Sequence, residues 1–246
     1  AALGPDKAAA QLAPGWSATI DARPAPITID PGKTAAIVVD MQNDFGSKGG
    51  MFDRAGIDIS GIQRAVGPTK AALAASRRAG IHIAYLKMAY HPDLSDLGAP
   101  DSVNRTRHMR LGVGQAVNAP DGRPSRVLIR DTWNSDIVDE LTPHPNDTVV
   151  YKTRFSGFYK TNLENVLRRR GITHLVITGC TTSICVESTV RDAMFRDFSC
   201  VLLSDCMSEP IGEGLPRSNH QASLLSTEVL LGWVADSASF IRALAR

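Results

Sequence analysis

The sequence predicts a three-layer α/β/α fold around a mostly parallel central sheet. Three observations predict it. Strand-like and helix-like segments alternate, the strand segments are short apolar runs, and two of the helical ones stop at glycine. A run such as Thr34-Ala-Ala-Ile-Val-Val-Asp40 has no polar face, as expected of a strand covered on both sides. With 246 residues, 43% hydrophobic and 21% charged, one large domain accounts for the chain.

The elements follow in order. Residues 1–30 carry five Ala in the first ten positions and Pro5, Pro14, Pro24 and Pro26. They read as an extended N-terminal arm, partly ordered at best, and residues 31–246 as the folded domain. A strand over 34–40 leads to an Ala-rich helix over Ile62–Arg78, closed by Gly80, and to a strand over Ile81–Leu86. From Lys87 to Arg126 the pattern breaks down, which marks a functional excursion or a disordered one. Order returns with a helix near Asp136–Leu141, a strand over Thr148–Tyr151 and a helix over Asn162–Arg170. A strand over His174–Thr178, a helix over Cys185–Phe198 and a strand over Cys200–Ser204 come next. Helices over Asn219–Leu231 and Ser237–Ala245 close the chain.

Such sheets bind ligands outside the carboxyl ends of their strands. The positions to inspect are therefore Asp40, Lys87–Met88, Tyr151–Lys152, Gly179–Cys185 and Ser204–Asp205. Several function classes drop out. The 27 Lys and Arg against 25 Asp and Glu leave a net charge of +2, and no basic stripe suits a nucleic acid. No apolar run reaches the roughly 18 residues of a membrane span, and no signal-peptide pattern opens the chain. No GxGxxG follows a strand, so a dinucleotide-binding oxidoreductase is set aside. The four cysteines, Cys180, Cys185, Cys200 and Cys206, form no CxxC pair. They are expected to be reduced thiols in a cytoplasmic protein, without a zinc site.

Three strand ends then present an acid, a cation and a thiol: Asp40, Lys152 and Cys185. Each alone reads as a turn cap, a solvated lysine or a core cysteine. Together at one sheet edge they form a chemical set. Gly179-Cys-Thr-Thr-Ser-Ile-Cys185 lies between a strand and a helical pattern, with Thr182 or Ser183 available as N-cap. A thiol in the first helical turn meets the positive end of the dipole, which favours thiolate, as does a nearby lysine. The same turn's N–H groups can hold an oxyanion.

These segments resemble the isochorismatase-like cysteine hydrolases over about 22–243. The resemblance rests on Ile37-Val-Val-Asp40-Met-Gln-Asn-Asp-Phe45, on Lys152 after its strand, and on Gly179-Cys-Thr-Thr-Ser-Ile-Cys185-Val-Glu-Ser-Thr-Val-Arg-Asp192. Within the family the chain looks most like ureidoacrylate amidohydrolases, through Ala55-Gly56, Val138-Asp-Glu-Leu141, Ser156-Gly-Phe158 and Gly232-Trp-Val234. Biuret and triuret hydrolases come second, through Lys48-Gly49-Gly50 and His91-Pro-Asp-Leu-Ser-Asp-Leu97. The resemblance implies Cys185 as nucleophile, Asp40 as proton acceptor and Lys152 as the cation holding the pair. It also implies a cis peptide between Cys180 and Thr181, with the backbone N–H groups of Thr181 and Cys185 as oxyanion donors.

It follows that the expected activity is hydrolysis of a C–N bond in a small ureido, carbamoyl or amide substrate through a cysteine thioester. Ureidoacrylate is the first substrate class and biuret or triuret the alternative; a non-catalytic small-molecule-binding relative is the third reading. No cofactor or metal is needed, because Met88-Ala-Tyr-His91 lacks the Asp two residues before His that the metal-using branch carries. Membership also implies a homo-oligomer, dimer or tetramer. Met88 stands where related enzymes carry Asn or Glu, so the substrate is less polar there or another group takes over the contact. Phe45, Met88, Tyr90, Trp133 and Phe158 are the expected substrate-binding residues, although each aromatic also suits core packing. Arg105 and Arg107 offer a substrate carboxylate contact or plain surface charge.

Overall fold

The computed structural model describes residues 15–245. β1 (Ala18–Ile20) and β2 (Ile27–Ile29) pair as an antiparallel hairpin. After β3 (Thr34–Val39) come two single-turn helices, α1 (Asn43–Gly46) and α2 (Met51–Arg54), then the long α3 (Ser60–Arg78) and β4 (His82–Met88). The excursion that follows holds α4 (Val103–Arg110) and a second hairpin, β5 (Ala116–Asn118) with β6 (Pro124–Arg126). β7 (Thr148–Lys152), α5 (Leu163–Arg169), β8 (His174–Cys180), α6 (Glu187–Met194) and β9 (Ser199–Ser208) continue the alternation. It ends with α7 (Asn219–Ser226), β10 (Gly232–Ala235) and α8 (Ser237–Leu244).

Six strands form one parallel sheet in the order β10-β9-β8-β3-β4-β7. The chain starts in the middle, winds out to β7, then returns to wind out to β10. Direction reverses between β3 and β8, which is the switch point where such sheets open a crevice. Right-handed crossovers place helices on both faces. α3 packs with α8 on one face. α5 and α6 share the other, joined by the Glu164–Arg196 ion pair at 3.0 Å. Every residue of β3 is buried, as the all-apolar run requires.

Register brings the strand ends to one level. Val39 lies opposite both Leu86 and Gly179, and Met88 lies opposite Lys152. Gly179 has φ +118°, and a Cβ there would sit 2.0 Å from the Val39 carbonyl oxygen. Only glycine lets β8 approach β3 this closely at the switch point.

Several expected elements differ. The arm expected over 1–30 is, from Ala18 onward, the β1–β2 hairpin. Ile20, Ile27 and Ile29 are buried, and Arg23 exchanges backbone hydrogen bonds with Val234 of β10. Residues 1–14 lie outside the described residues. The helix expected at Asp136–Leu141 is replaced by two 3₁₀ turns, Trp133–Ser135 and Asp139–Leu141. Between them the backbone serves Met41 and Asn43 instead: Val138 donates to the Met41 carbonyl, and Asn43 donates to that of Asp136. The helix expected from Cys185 begins as a π-helical turn, Thr182–Val186, and turns α-helical only at Glu187. The last long helix stops at Ser226, passes through a second π-helical turn (Thr227–Leu231), and gives way to β10.

Candidate active site

Asp40 ends β3 with φ 51°, a left-handed conformation that Asp tolerates better than most residues. Its N–H donates to Leu86 and its carbonyl accepts from Gln42 at 2.8 Å, so the turn is fixed on both sides. Gln42 is itself a staple. Its Nε2 donates to the Met88 and Ser135 carbonyls, and its Oε1 accepts from the Met88 N–H at 2.8 Å. Lys152 closes β7 two strands away.

The Lys152 ammonium lies 2.8 Å from Asp40 Oδ2, with side-chain exposures of 0% and 1%. It also donates to Cys185 Sγ at 3.4 Å and to the Arg154 carbonyl at 3.1 Å. Three N–H bonds thus meet three partners, and the lysine bridges the carboxylate and the thiol. Burial raises the Asp40 pKa against the pull of Lys152. Burial works against the Lys152 charge too, but Asp40 and Cys185 outweigh it and the net shift is upward.

Cys185 departs from the expected electrostatics. Burial, then the Asp40 charge, push its pKa up more than Lys152 pulls it down. The upward shift follows from its place inside the cavity wall rather than at a solvated helix end. Neither expected N-cap acts as one. The Thr182 hydroxyl pairs with His220 Nδ1 at 2.8 Å, and the Ser183 hydroxyl donates to Glu209. Glu209, 4% exposed, accepts from the Ser183 N–H at 3.0 Å and the Ser183 hydroxyl at 2.5 Å through Oε2, and from the Ile211 N–H through Oε1. Thr189 ties the turn from the other side, donating to the Cys185 carbonyl and accepting from the Gly157 N–H. The Cys180–Thr181 peptide is cis.

Asp40, Cys180, Thr181 and Cys185 open onto a cavity of about 650 Å³. Phe45 and Met88, two of the expected substrate contacts, are among its lining residues. Tyr90, Trp133 and Phe158 are not, and these three expectations are corrected. Tyr90 is buried, with its hydroxyl donating to the Thr153 carbonyl and accepting from Asn104. Trp133 contributes its backbone carbonyl to Asn43. Phe158 stacks on Phe198 with ring centroids 5.9 Å apart. The remaining walls come from residues the sequence did not single out, among them Phe52, Leu111, Phe155 and Ile184. His108 of α4 also lines the cavity, packed against the Tyr90 and Phe155 rings. Arg105 donates to the Leu94 and Gly98 carbonyls, whereas Arg107 lines the cavity. Nothing in the sequence singled out Glu209; its role shows only in the fold, where it accepts from the Ser183 and Ile211 N–H groups.

Among the described residues, no group of three or more His, Cys, Asp and Glu side chains is arranged to hold a metal ion. His91 sits 3.9 Å from Asp96, away from the cavity lining.

Fold and site together define a class: a parallel α/β domain with a buried carboxylate, an ammonium and a thiol in contact at the switch-point edge of its sheet. The Isochorismatase domain model matches residues 34–239. The chain is 40% identical over 225 residues to the ureidoacrylate amidohydrolase RutB of Methylobacterium radiotolerans, covering 92% of this chain and 84% of that protein. It is 41% identical over 217 residues to the ureidoacrylate amidohydrolase RutB of Agrobacterium fabrum, covering 88% and 92%. A cysteine hydrolase from Pseudomonas syringae pv. phaseolicola superposes with a TM-score of 0.72 at 29% identity, covering 88% of this chain and 94% of that one. The chain belongs to the isochorismatase family.

Proposed function

We propose that this chain is an amidohydrolase that cleaves the C–N bond of a ureido or carbamoyl compound of the ureidoacrylate type through a thioester on Cys185. One observation carries the reading. A single buried ammonium lies 2.8 Å from the Asp40 carboxylate and 3.4 Å from the Cys185 sulfur, at the wall of a substrate-sized cavity. The 40% identity to proteins named ureidoacrylate amidohydrolases supports the substrate class.

Asp40, made more basic than an ordinary carboxylate by burial, takes the Cys185 proton as the sulfur attacks the carbonyl carbon. Lys152 then faces the developing thiolate. The Thr181 and Cys185 N–H groups serve as oxyanion donors. Protonated Asp40 returns its proton to the departing nitrogen, the C–N bond breaks, and ammonia or an amine leaves. Asp40 next activates a water that cleaves the thioester, and the sulfur takes back a proton. Biuret and triuret are the second substrate class. Met88 departs from both classes, because a thioether cannot replace the carboxamide or carboxylate contact that either carries there. A binding protein that had lost catalysis would have no need of all three groups at contact distance.

The hydrolase domain is assigned to 31–246, supported by the family match over 34–239. A homo-oligomer, dimer or tetramer, and a cytoplasmic location belong to the same reading. Four free thiols suit a reducing compartment. Among the described residues no helix is long and apolar enough to cross a membrane.

The test is ammonia release from ureidoacrylate, biuret, triuret and N-carbamoyl amino acids, with a Cys185→Ser variant alongside. Release from a ureido compound, lost in the variant, is the expected result. Release that survives the substitution would remove Cys185 from the mechanism.

A further inference from the structure

The cavity beside Cys185 is large and mostly apolar for a site serving small polar amides. Its volume of about 650 Å³ falls in the range that houses drug-sized ligands. Phe45, Phe52, Met88, Leu111, Phe155 and Ile184 supply much of its wall. Apart from the residues at the reacting end, the polar side chains that reach it are Glu209, His108 and Arg107.

Two of these are already engaged. Both Glu209 oxygens accept hydrogen bonds from Ser183 and Ile211. His108 is buried, with Nδ1 2.6 Å from the Asn104 carbonyl, and burial lowers its pKa, which leaves it neutral. Arg107 differs. Among the described residues it has neither an ion-pair nor a hydrogen-bond partner, while Arg105, one step back on α4, donates to two carbonyls of the preceding loop. A guanidinium without a partner at an apolar cavity matches a carboxylate by its paired N–H geometry. The Met88 thioether removes the polar contact that a smaller, wholly polar substrate would need.

Resting on the hydrolytic reading above, we propose that this site takes carbamoyl or amide compounds with an apolar substituent and a carboxylate, the substituent packing on the Phe and Met walls and the carboxylate pairing with Arg107. Ureidoacrylate is a small member of that class, with a carboxylate beyond a short unsaturated spacer.

The test separates binding from turnover. In the full chain carrying Cys185→Ala, calorimetry compares N-carbamoylglycine, N-carbamoylphenylalanine and phenethylurea, which keeps the aromatic group and lacks the acid. The expected result is that N-carbamoylphenylalanine binds about tenfold or more tighter than N-carbamoylglycine. Adding Arg107→Gln should weaken N-carbamoylphenylalanine about tenfold more than it weakens phenethylurea. Arg107 is exposed on α4, and a melting curve checks that the variant is folded. Equal or weaker binding of the aromatic acid overturns the apolar subsite. Equal losses for the acid and the neutral urea overturn the Arg107 contact.

Ammonia release by the unmodified chain tells the two readings apart. Hydrolysis of ureidoacrylate without a preference for the aromatic acid overturns only the present inference. Preferential binding of the aromatic acid with no release from any compound overturns the hydrolytic reading and leaves the ligand class standing.

Discussion

The switch-point edge of the sheet and the excursion between β4 and β7 are built in opposite ways. At the edge, Asp40 and Lys152 follow strand ends whose register is set by continuous parallel pairing, and Cys185 sits in the π-helical turn just past β8. In the excursion, α4, the β5–β6 hairpin and two 3₁₀ turns are joined by side-chain bonds to backbone. Asp44 of α1 ties it to the rest, accepting from the Met51 and Leu128 N–H groups and from Asn134 Nδ2. The contrast teaches a division of labour. The sheet sets the reacting groups, whereas the excursion, with the α1–α2 turns, supplies much of the wall that a substrate body meets.

Breaking the edge should have the largest effect. Cys185→Ser is expected to lower ammonia release by a factor on the order of a thousand or more, with an unchanged melting curve. Lys152→Met leaves the Asp40 carboxylate buried without its cation. It should abolish turnover and cost about 3–5 kcal/mol in chemical denaturation.

The tie between α1 and the excursion should respond to pH. Burial raises the Asp44 carboxyl to about 6 in the folded chain, against about 3.9 when unfolded. The folded state therefore holds that proton more tightly. Its stabilising contribution is complete below about pH 4, is lost as pH rises through about 6, and amounts to about 3 kcal/mol. Denaturation of the unmodified chain and of Asp44→Ala, near pH 4 and near pH 7, checks the sign: the variant should lack this difference.

Glu209→Gln sharpens the comparison from the edge side. The amide has one acceptor oxygen where the carboxylate has two, so one N–H of Ser183 or Ile211 loses its partner, at about 1–3 kcal/mol. Turnover should fall with it, because the nucleophile turn loosens. The smallest effect is expected at Trp133. Since only its carbonyl is used and its ring does not line the cavity, Trp133→Phe should leave kcat/KM within about twofold, near the limits of a surface change.

The same contrast governs what was legible. β3, β4 and β8 showed themselves as apolar runs, and the residues just past them could be named from topology alone. The walls could not, because Arg107 and His108 reach the cavity only after Ser102 caps a helix that the surrounding prolines and glycines obscured. Tyr90 and Phe158 were misplaced for a related reason. An aromatic beside a strand end can point along the sheet into the core as readily as out over its edge, and side-chain direction there is settled by partners such as Thr153 and Phe198.

Glu209 also lines a second, more polar cavity of about 410 Å³, shared with Arg64, Asp205, Glu213 and His220. Both cavities meet at this one side chain, and the Thr182–Val186 turn leans against it through Ser183. Truncating Glu209 to alanine would leave the Ser183 and Ile211 N–H groups without their acceptor on the side that faces both cavities. A single carboxylate is thus the hinge pin between the Cys185 turn and a second cavity behind it.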